Sequence, residues 1–139
     1  MNRISIELGP LTLDGPMRSA AERFLNITAS LRISVDGVTV LDELAVPVLE
    51  LAGQLETADF EQGFVYTSVE SDYALLIVLP WKDGMFIASP MSGTCAEKAV
   101  SKDAARVAFT DLRMGLQRIL STRHIEIPRD TQHRANPFL

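Results

Sequence analysis

Apolar and polar residues alternate without interruption from Leu25 to Val35, with every odd position apolar. Successive side chains of a β-strand point to opposite faces, so this period of two predicts a strand with one face on a core and the other toward water. The pair Asp36-Gly37 follows, and a two-residue hairpin turn favours such a pair because both central positions need positive φ angles. The chain should therefore reverse here. The predicted cross-strand pairs are Val35 with Val38 and Ile33 with Val40.

Five further segments carry a strand pattern and are separated by turn residues. They are Ile4–Leu8 and Leu11–Leu13 as short edge strands, and Phe64–Glu70, Tyr73–Pro80 and Met85–Ala88 as a meander. Residues 74–79 are apolar at every position, which is typical of a central strand that is covered on both faces. The composition of residues 90–100 indicates a loop.

Two segments show the three- and four-residue apolar spacing of an amphipathic helix. The first spans Leu44–Leu55, where Asp42 could cap the N-terminus and Pro47 is tolerated only in the first turn. The second spans Ser101–Ser121, with its first residue as the N-cap. Gly115 lies inside this second helix and costs about 1 kcal/mol relative to alanine, unless a close neighbour requires it.

Together these elements predict an α+β domain, with a mainly antiparallel sheet of five or six strands and two helices packed on one face. We expect a single domain at residues 1–128 and a flexible polar tail at residues 129–139. The longest apolar run, Ala74–Trp81, is less than half of the roughly 20 residues that span a bilayer. Because the chain also lacks a signal-peptide pattern and has one cysteine, Cys95, we expect it in the cytoplasm.

Acidic residues are distributed unevenly along the chain. Residues 33–81 contain nine carboxylates and no lysine or arginine, whereas the other ninety residues contain nine acids and all thirteen bases. A net charge of −5 therefore conceals a segment of −9. Carboxylates that converge on one outward face would steer a basic partner toward it and raise the association rate. The residues expected on this acidic face are Asp42, Glu43, Glu50, Glu56, Asp59, Glu61, Glu70 and Asp72.

Other chemistry has less support in the sequence. The eight glycines are scattered, which argues against a phosphate-binding loop between a strand and a helix. His124, His133 and Cys95 lack the spacing of a zinc site, and Cys95 with His124 is the one conceivable nucleophile pair. Glu70 and Asp72 could form an acid/base couple, although the solvation of a turn explains them more simply.

A nucleic-acid interface would need a basic face. Bases do occur on and just before the closing helix, at Lys98, Lys102, Arg106, Arg113 and Arg118. Asp103 and Asp111 are interspersed with them, so a solvated helix surface is the favoured interpretation. We therefore expect no nucleic acid, no membrane, no metal and no cofactor as a partner.

The arrangement resembles the small, acidic, single-domain immunity proteins of bacterial polymorphic-toxin systems. The resemblance rests on the strand-hairpin-helix run from Leu25 to Leu55, the strand Phe64–Glu70 and the closing helix Ser101–Ser121. It implies a cytoplasmic protein that binds and occludes a cognate toxin, often a basic nuclease, and that performs no chemistry of its own.

Three hypotheses about function follow. The leading one is a non-enzymatic protein that binds a basic partner, such as a toxin domain, through the acidic face. The alternative is a structural or assembly subunit that self-associates through a sheet edge or an apolar patch, for example as a homodimer. The third is a small hydrolase or transferase, which would require a concave site that contains carboxylates with perturbed pKa values.

Overall fold

A computed structural model of the protein describes residues 3–13 and 15–125. The described residues form three helices, α1 (Ala20–Asn26), α2 (Val48–Thr57) and α3 (Lys102–Thr122). Their strands are β1 (Ile4–Leu8), β2 (Thr12–Leu13), β3 (Ile27–Val35), β4 (Val38–Pro47), β5 (Phe64–Tyr66), β6 (Leu76–Trp81), β7 (Gly84–Ser89), β8 (Thr94–Cys95) and β9 (Val100–Ser101). The expected tail at residues 129–139 lies outside the described residues.

The strands form two antiparallel sheets, which confirms the predicted α+β class with antiparallel pairing. The first sheet has β3 at its centre, β4 on one side, and β1 and β2 on the other. The second sheet has the order β5-β6-β7, and both β8 and β9 pair with the remaining side of β7. We expected one sheet. The described strands after α2 pair with one another and not with the strands before it, so they form a second sheet.

The alternating pattern of β3 has the predicted effect. Its odd positions from Ile27 to Val35 are all buried, and together they line the core. The strand begins at Ile27 rather than at Leu25, because α1 continues to Asn26. Ser19 caps this short helix by accepting a hydrogen bond from the backbone N–H of Glu22 at 3.1 Å.

The hairpin between β3 and β4 has the predicted turn, since Asp36 and Gly37 have φ angles of 50° and 81°. Val35 pairs with Val38 as expected. Ile33, however, pairs with Leu41 and not with Val40, because the register shifts by one residue between Ile33 and Ser34. The carbonyl of Val40 instead accepts a hydrogen bond from the hydroxyl of Thr94, which ties β4 to β8.

The predicted helix at Leu44–Leu55 begins later than expected. β4 continues to Pro47, so Asp42 is a strand residue and does not cap a helix. Leu44 is 86% exposed, because a second register irregularity opposite Ala29 and Leu31 interrupts the alternation of β4. The spacing of Leu44 from the later apolar residues matches that of a helix, although Leu44 lies on a strand. α2 itself is not amphipathic: residues 48–55 are all buried, as in a helix enclosed on every side.

α3 matches its prediction closely. Its N-cap is Ser101, whose hydroxyl accepts a hydrogen bond from the N–H of Ala104 at 3.0 Å. The buried stripe of this helix consists of Ala105, Phe109, Leu112, Leu116 and Leu120. α3 packs against α2, β1, β7 and β9, so it joins the two sheets into one core. Among the described residues, none of the helices has both the length and the apolar content needed to cross a membrane.

Gly115 has no structural requirement that the described residues reveal, because a Cβ atom added there would meet no atom within 4 Å other than those of its own stretch of helix. We expect Gly115→Ala to raise the free energy of unfolding by about 0.5–1 kcal/mol, since alanine restricts the unfolded chain and favours helix. The contrasting variant is Gly63→Ala, where φ is +98° and the new Cβ would lie 2.6 Å from the carbonyl oxygen of Val78. Urea denaturation should show a higher free energy of unfolding for Gly115→Ala and a lower one for Gly63→Ala. A loss of stability in Gly115→Ala would contradict the expectation.

Candidate functional site: an acidic cleft beside helix α2

A cleft of about 630 Å³ lies between α1, α2 and β5. Its lining residues are Phe24, Glu50, Gln54, Thr57, Ala58, Asp59, Gly63, Phe64, Val65, Thr67 and Val69. We call it the α2–β5 cleft. Among the described residues that line it, Glu50 and Asp59 are ionisable, and none is a lysine, arginine or histidine. Any charge that the lining presents is therefore negative.

Glu50 sits at the inner wall of this cleft and is 1% exposed. The hydroxyl of Tyr66 donates a hydrogen bond to Oε1 at 2.8 Å, and the backbone N–H of Val69 donates one to Oε2 at 2.9 Å. Our expectation that Glu50 lies on an outward acidic face is therefore wrong. The reason is that residues 48–55 of α2 are all buried, so this part of the helix has no solvent face for a carboxylate.

Gln54 lies one helical turn after Glu50 and contacts the same segment of chain. Its amide nitrogen donates to the carbonyl of Thr67 at 2.7 Å, and its amide oxygen accepts from the N–H of Thr67 at 3.2 Å. Residues four apart lie on the same side of a helix, so Glu50 and Gln54 together hold residues 66–69 against α2. The sequence signal for this clamp is two polar residues at i and i+4 inside an otherwise apolar helix.

Burial raises the pKa of the Glu50 carboxyl above its ordinary value of 4.5. The hydrogen bonds from Val69, Tyr66 and Ser68 oppose this shift, and the nearby charge of Glu70 adds to it. Burial likewise raises the pKa of the Tyr66 hydroxyl well above 10.0, and the negative charge of Glu50 reinforces that shift. Tyr66 therefore stays protonated and serves Glu50 as a hydrogen-bond donor.

One other member of the predicted acidic face lines the cleft, and a second lies near Glu50. Asp59 lines the cleft and caps its own turn, since its carboxylate accepts from the N–H groups of Glu61 and Gln62 at 3.0 and 3.2 Å. Glu70 follows the segment that Glu50 holds, and it is close enough for its charge to influence the pKa of Glu50. Both side chains are exposed. Asp59 in the lining and Glu70 beside the held segment are therefore the exposed carboxylates at or near the cleft.

The remaining members of the predicted face are not all gathered there. Asp42 and Glu43 lie on β4 in the other sheet, where Asp42 forms a salt bridge with Arg32 at 3.4 Å. Glu56 is at the C-terminal end of α2 and accepts a hydrogen bond from Gln117 of α3. Glu61 and Asp72 are exposed in the turns before β5 and before β6. The structure thus concentrates part of the acidic set at the cleft and places Asp42 and Glu43 elsewhere.

The residues considered for metal or nucleophile chemistry form no metal site in the described part of the chain. No group of three or more His, Cys, Asp or Glu side chains suited to a metal ion occurs there. Cys95 is exposed on β8 and His124 is exposed just after α3, whereas His133 lies outside the described residues. Within α3, Arg106 pairs with Asp103 at 3.5 Å, and the guanidinium of Arg113 stands over the ring of Phe60 at 5.3 Å.

A second surface was missed by the sequence patterns, because residues 74–79 suggested a strand covered on both faces. β6 has one open face instead: Leu79 and Trp81 are 43% and 57% exposed. The cross-strand register places Val65 beside Ile77 and Phe86 beside Leu79. The outer face of the second sheet, as we call this surface, is formed by Val65, Ile77, Leu79, Trp81 and Phe86.

A groove of about 600 Å³ borders the outer face on the β7 side. We call it the lysine groove, and its lining residues are Trp81, Lys82, Phe86, Glu97, Lys98 and Ala99. The ring centroids of Trp81 and Phe86 are 6.4 Å apart, so the groove combines two neighbouring aromatic rings with three charged side chains.

Comparisons of the chain with models of protein families, with curated proteins and with solved structures gave no significant match.

Proposed function

We propose that this protein is a non-enzymatic, cytoplasmic binding protein that neutralises a basic toxin domain, and that the α2–β5 cleft is where the toxin docks. The observation that carries the proposal is the composition of the cleft lining among the described residues, which includes two carboxylates and no base. Glu61 and Glu70 are exposed in the turns on either side of β5 and extend the negative field beyond the cleft.

The apolar residues of the cleft lining also favour a protein partner. Val65 and Val69 are exposed apolar residues in its lining, and Phe24 and Phe64 contribute aromatic surface. Protein interfaces typically combine an apolar centre with a charged rim. A cationic side chain of the partner could lie against this apolar surface while its charge meets Asp59, as long basic side chains commonly do.

A small hydrolase or transferase fits the cleft less well. Such an enzyme would use a carboxylate with a perturbed pKa, and Glu50 has one. However, both oxygens of Glu50 accept hydrogen bonds from its own chain, and the side chain is 1% exposed. A carboxylate that is committed to Tyr66 and Val69 is explained by its role in holding residues 66–69.

The test measures association with a basic partner while the charge of the two exposed acids on either side of β5, beside the cleft, is reversed. The probe is the catalytically inactivated C-terminal domain encoded by the gene next to this one. We expect the double variant Glu61→Lys, Glu70→Lys to associate about tenfold more slowly at low ionic strength and to show a flatter salt dependence. The control Asp83→Lys, Asp111→Lys makes the same change in net charge on exposed residues elsewhere.

Association that is equally fast in the cleft variant and in the control would overturn the proposal, because the effect would then depend on net charge alone. A neighbouring gene without a compact basic domain would also count against it. Circular dichroism of both variants should match the parent protein, since none of the four substituted residues is buried.

A further inference from the structure

The outer face of the second sheet is apolar where an antiparallel sheet with one covered face should be polar. Its inner side contributes Tyr66, Leu76, Val78, Met85 and Ile87 to the core. The alternate positions, which point away from that core, should then carry polar residues. They carry Val65, Ile77, Leu79, Trp81 and Phe86 instead.

These side chains lie next to one another and form a single patch. Val65 is directly opposite Ile77 across the β5–β6 pair, and Leu79 is directly opposite Phe86 across the β6–β7 pair. Trp81 continues the same side of β6 and contacts Phe86 through their rings. Scattered surface hydrophobics need no explanation, whereas a contiguous apolar patch with a charged border is typical of an interaction site.

The two borders of the outer face differ in charge. On the β5 side, Asp59 forms an isolated bridge with Gly63 directly before the strand, and Glu61 is exposed in the turn between them. On the β7 side, Lys82, Lys98 and Glu97 line the lysine groove, and Asp83 is exposed in the turn beside Lys82. The acids Asp59 and Glu61 thus lie about three strands away from the bases Lys82 and Lys98.

We propose that the outer face binds a second copy of this chain, in a two-fold symmetric dimer. A two-fold axis that lies between the two outer faces and runs parallel to β6 places the β5 side of one copy opposite the β7 side of the other. The acidic border of each copy then meets the lysine groove of its mate, while the apolar side chains meet at the centre. A surface that complements itself in this way fits an isologous interface.

The size of the face limits how tight this dimer is. Three strands spaced about 4.8 Å apart, with about 3.3 Å per residue over six residues, cover at most about 290 Å². A stable protein–protein interface buries about 800 Å² per partner. The charged borders must therefore belong to the interface, and we expect a weak dimer with a dissociation constant in the micromolar range.

Analytical ultracentrifugation of the full chain over a range of concentrations tests the proposal directly. The parent protein should show a monomer–dimer equilibrium, and Trp81→Ala should raise the dissociation constant by at least about tenfold. The matched control is Met114→Ala, which truncates another exposed apolar residue, on α3. A protein that is monomeric at every concentration would overturn the proposal, as would a dimer that Trp81→Ala leaves unchanged.

A charge-swap experiment tests the predicted pairing of the borders. The double variant Lys82→Glu, Lys98→Glu and the single variant Glu61→Lys should each dimerise about tenfold more weakly at low salt, because like charges then meet across the interface. An equimolar mixture of the two should regain the parent affinity, since every border then faces its opposite. A mixture that is no tighter than its components would exclude this two-fold arrangement.

The dimer and the proposed toxin share the acidic side of β5, so the dimer experiments use this protein without any partner. Their failure would leave the proposed function standing, and a toxin that does not bind would leave the dimer standing.

Discussion

Glu50→Ala is expected to lower the free energy of unfolding by about 2–4 kcal/mol at neutral pH. The substitution leaves the buried hydroxyl of Tyr66 and the N–H of Val69 without their acceptor, and each orphaned polar group costs about 1–3 kcal/mol. Of the side-chain contacts described above, only those of Gln54 would then hold residues 66–69 against α2. Chemical denaturation followed by circular dichroism measures the change.

The matched variant Glu50→Gln should behave differently, because its amide can accept from Val69 and donate to the oxygen of Tyr66. The pKa of Glu50 is raised in the folded state, so its contribution to stability is fully present below its ordinary value of 4.5 and is lost as pH rises through the folded pKa. As pH rises over that range, the free energy of unfolding of the parent protein should fall relative to that of Glu50→Gln, because the variant has no titrating group at this position.

Denaturation curves of both proteins across a pH series give the comparison. Parallel curves would mean that Glu50 does not titrate differently in the folded and unfolded states. A Glu50→Ala variant as stable as Glu50→Gln would show that the clamp on residues 66–69 contributes little, and that another contact fixes this segment.

Phe109→Ala should destabilise the protein by about 3–5 kcal/mol, which is typical of truncating a buried phenylalanine to alanine. Phe109 is fully buried on α3, and its ring lies 5.0 Å from Phe64 and 6.0 Å from Phe60, measured between centroids. Loss of the ring opens a cavity at the point where α3 meets the segment before β5. Since Phe64 also lines the α2–β5 cleft, that wall should loosen as well.

Val107→Ala is the control on the same helix, because Val107 is exposed and its loss should change stability by no more than about 0.5 kcal/mol. Thermal unfolding of both variants, analysed together with urea denaturation, distinguishes the two positions. A Phe109→Ala variant within about 1 kcal/mol of the parent would contradict the packing described for this cluster.

The elements that the sequence predicted well are those whose pattern is local and complete. β3 has an unbroken alternation, Asp36-Gly37 suits a turn that needs two positive φ angles, and α3 has both an N-cap and a continuous apolar stripe. In each case the spacing of residues along the chain already determines which side chains share a face. No distant contact was needed to recognise them.

α2 was misplaced because a register irregularity is a property of two strands together. Leu44 follows the three- and four-residue spacing of a helix only because β4 is interrupted opposite Ala29 and Leu31. The burial of Glu50 has a similar origin. A carboxylate inside an apolar helical segment is expected to be exposed, unless one knows that Tyr66 and Val69 supply hydrogen bonds to it from elsewhere in the fold.

The acidic face was predicted only in part, because charge counted along the chain differs from charge gathered in space. Arg32 lies just outside the acidic segment in sequence, yet the pairing of β3 with β4 places it beside Asp42. Asp59 and Glu70, eleven positions apart, come near the same cleft because β5 lies between them. Such proximity depends on strand pairing, which composition does not report.

The packing of α3 against β1 also has a consequence for how the chain is made. β1 ends at Leu8, whereas α3 spans Lys102–Thr122, so β1 leaves the ribosome well before α3. The apolar side of β1, formed by Ile4, Ile6 and Leu8, therefore remains without the helix that covers it until α3 has been translated. A nascent chain of this protein should depend on chaperone protection until α3 has been synthesised.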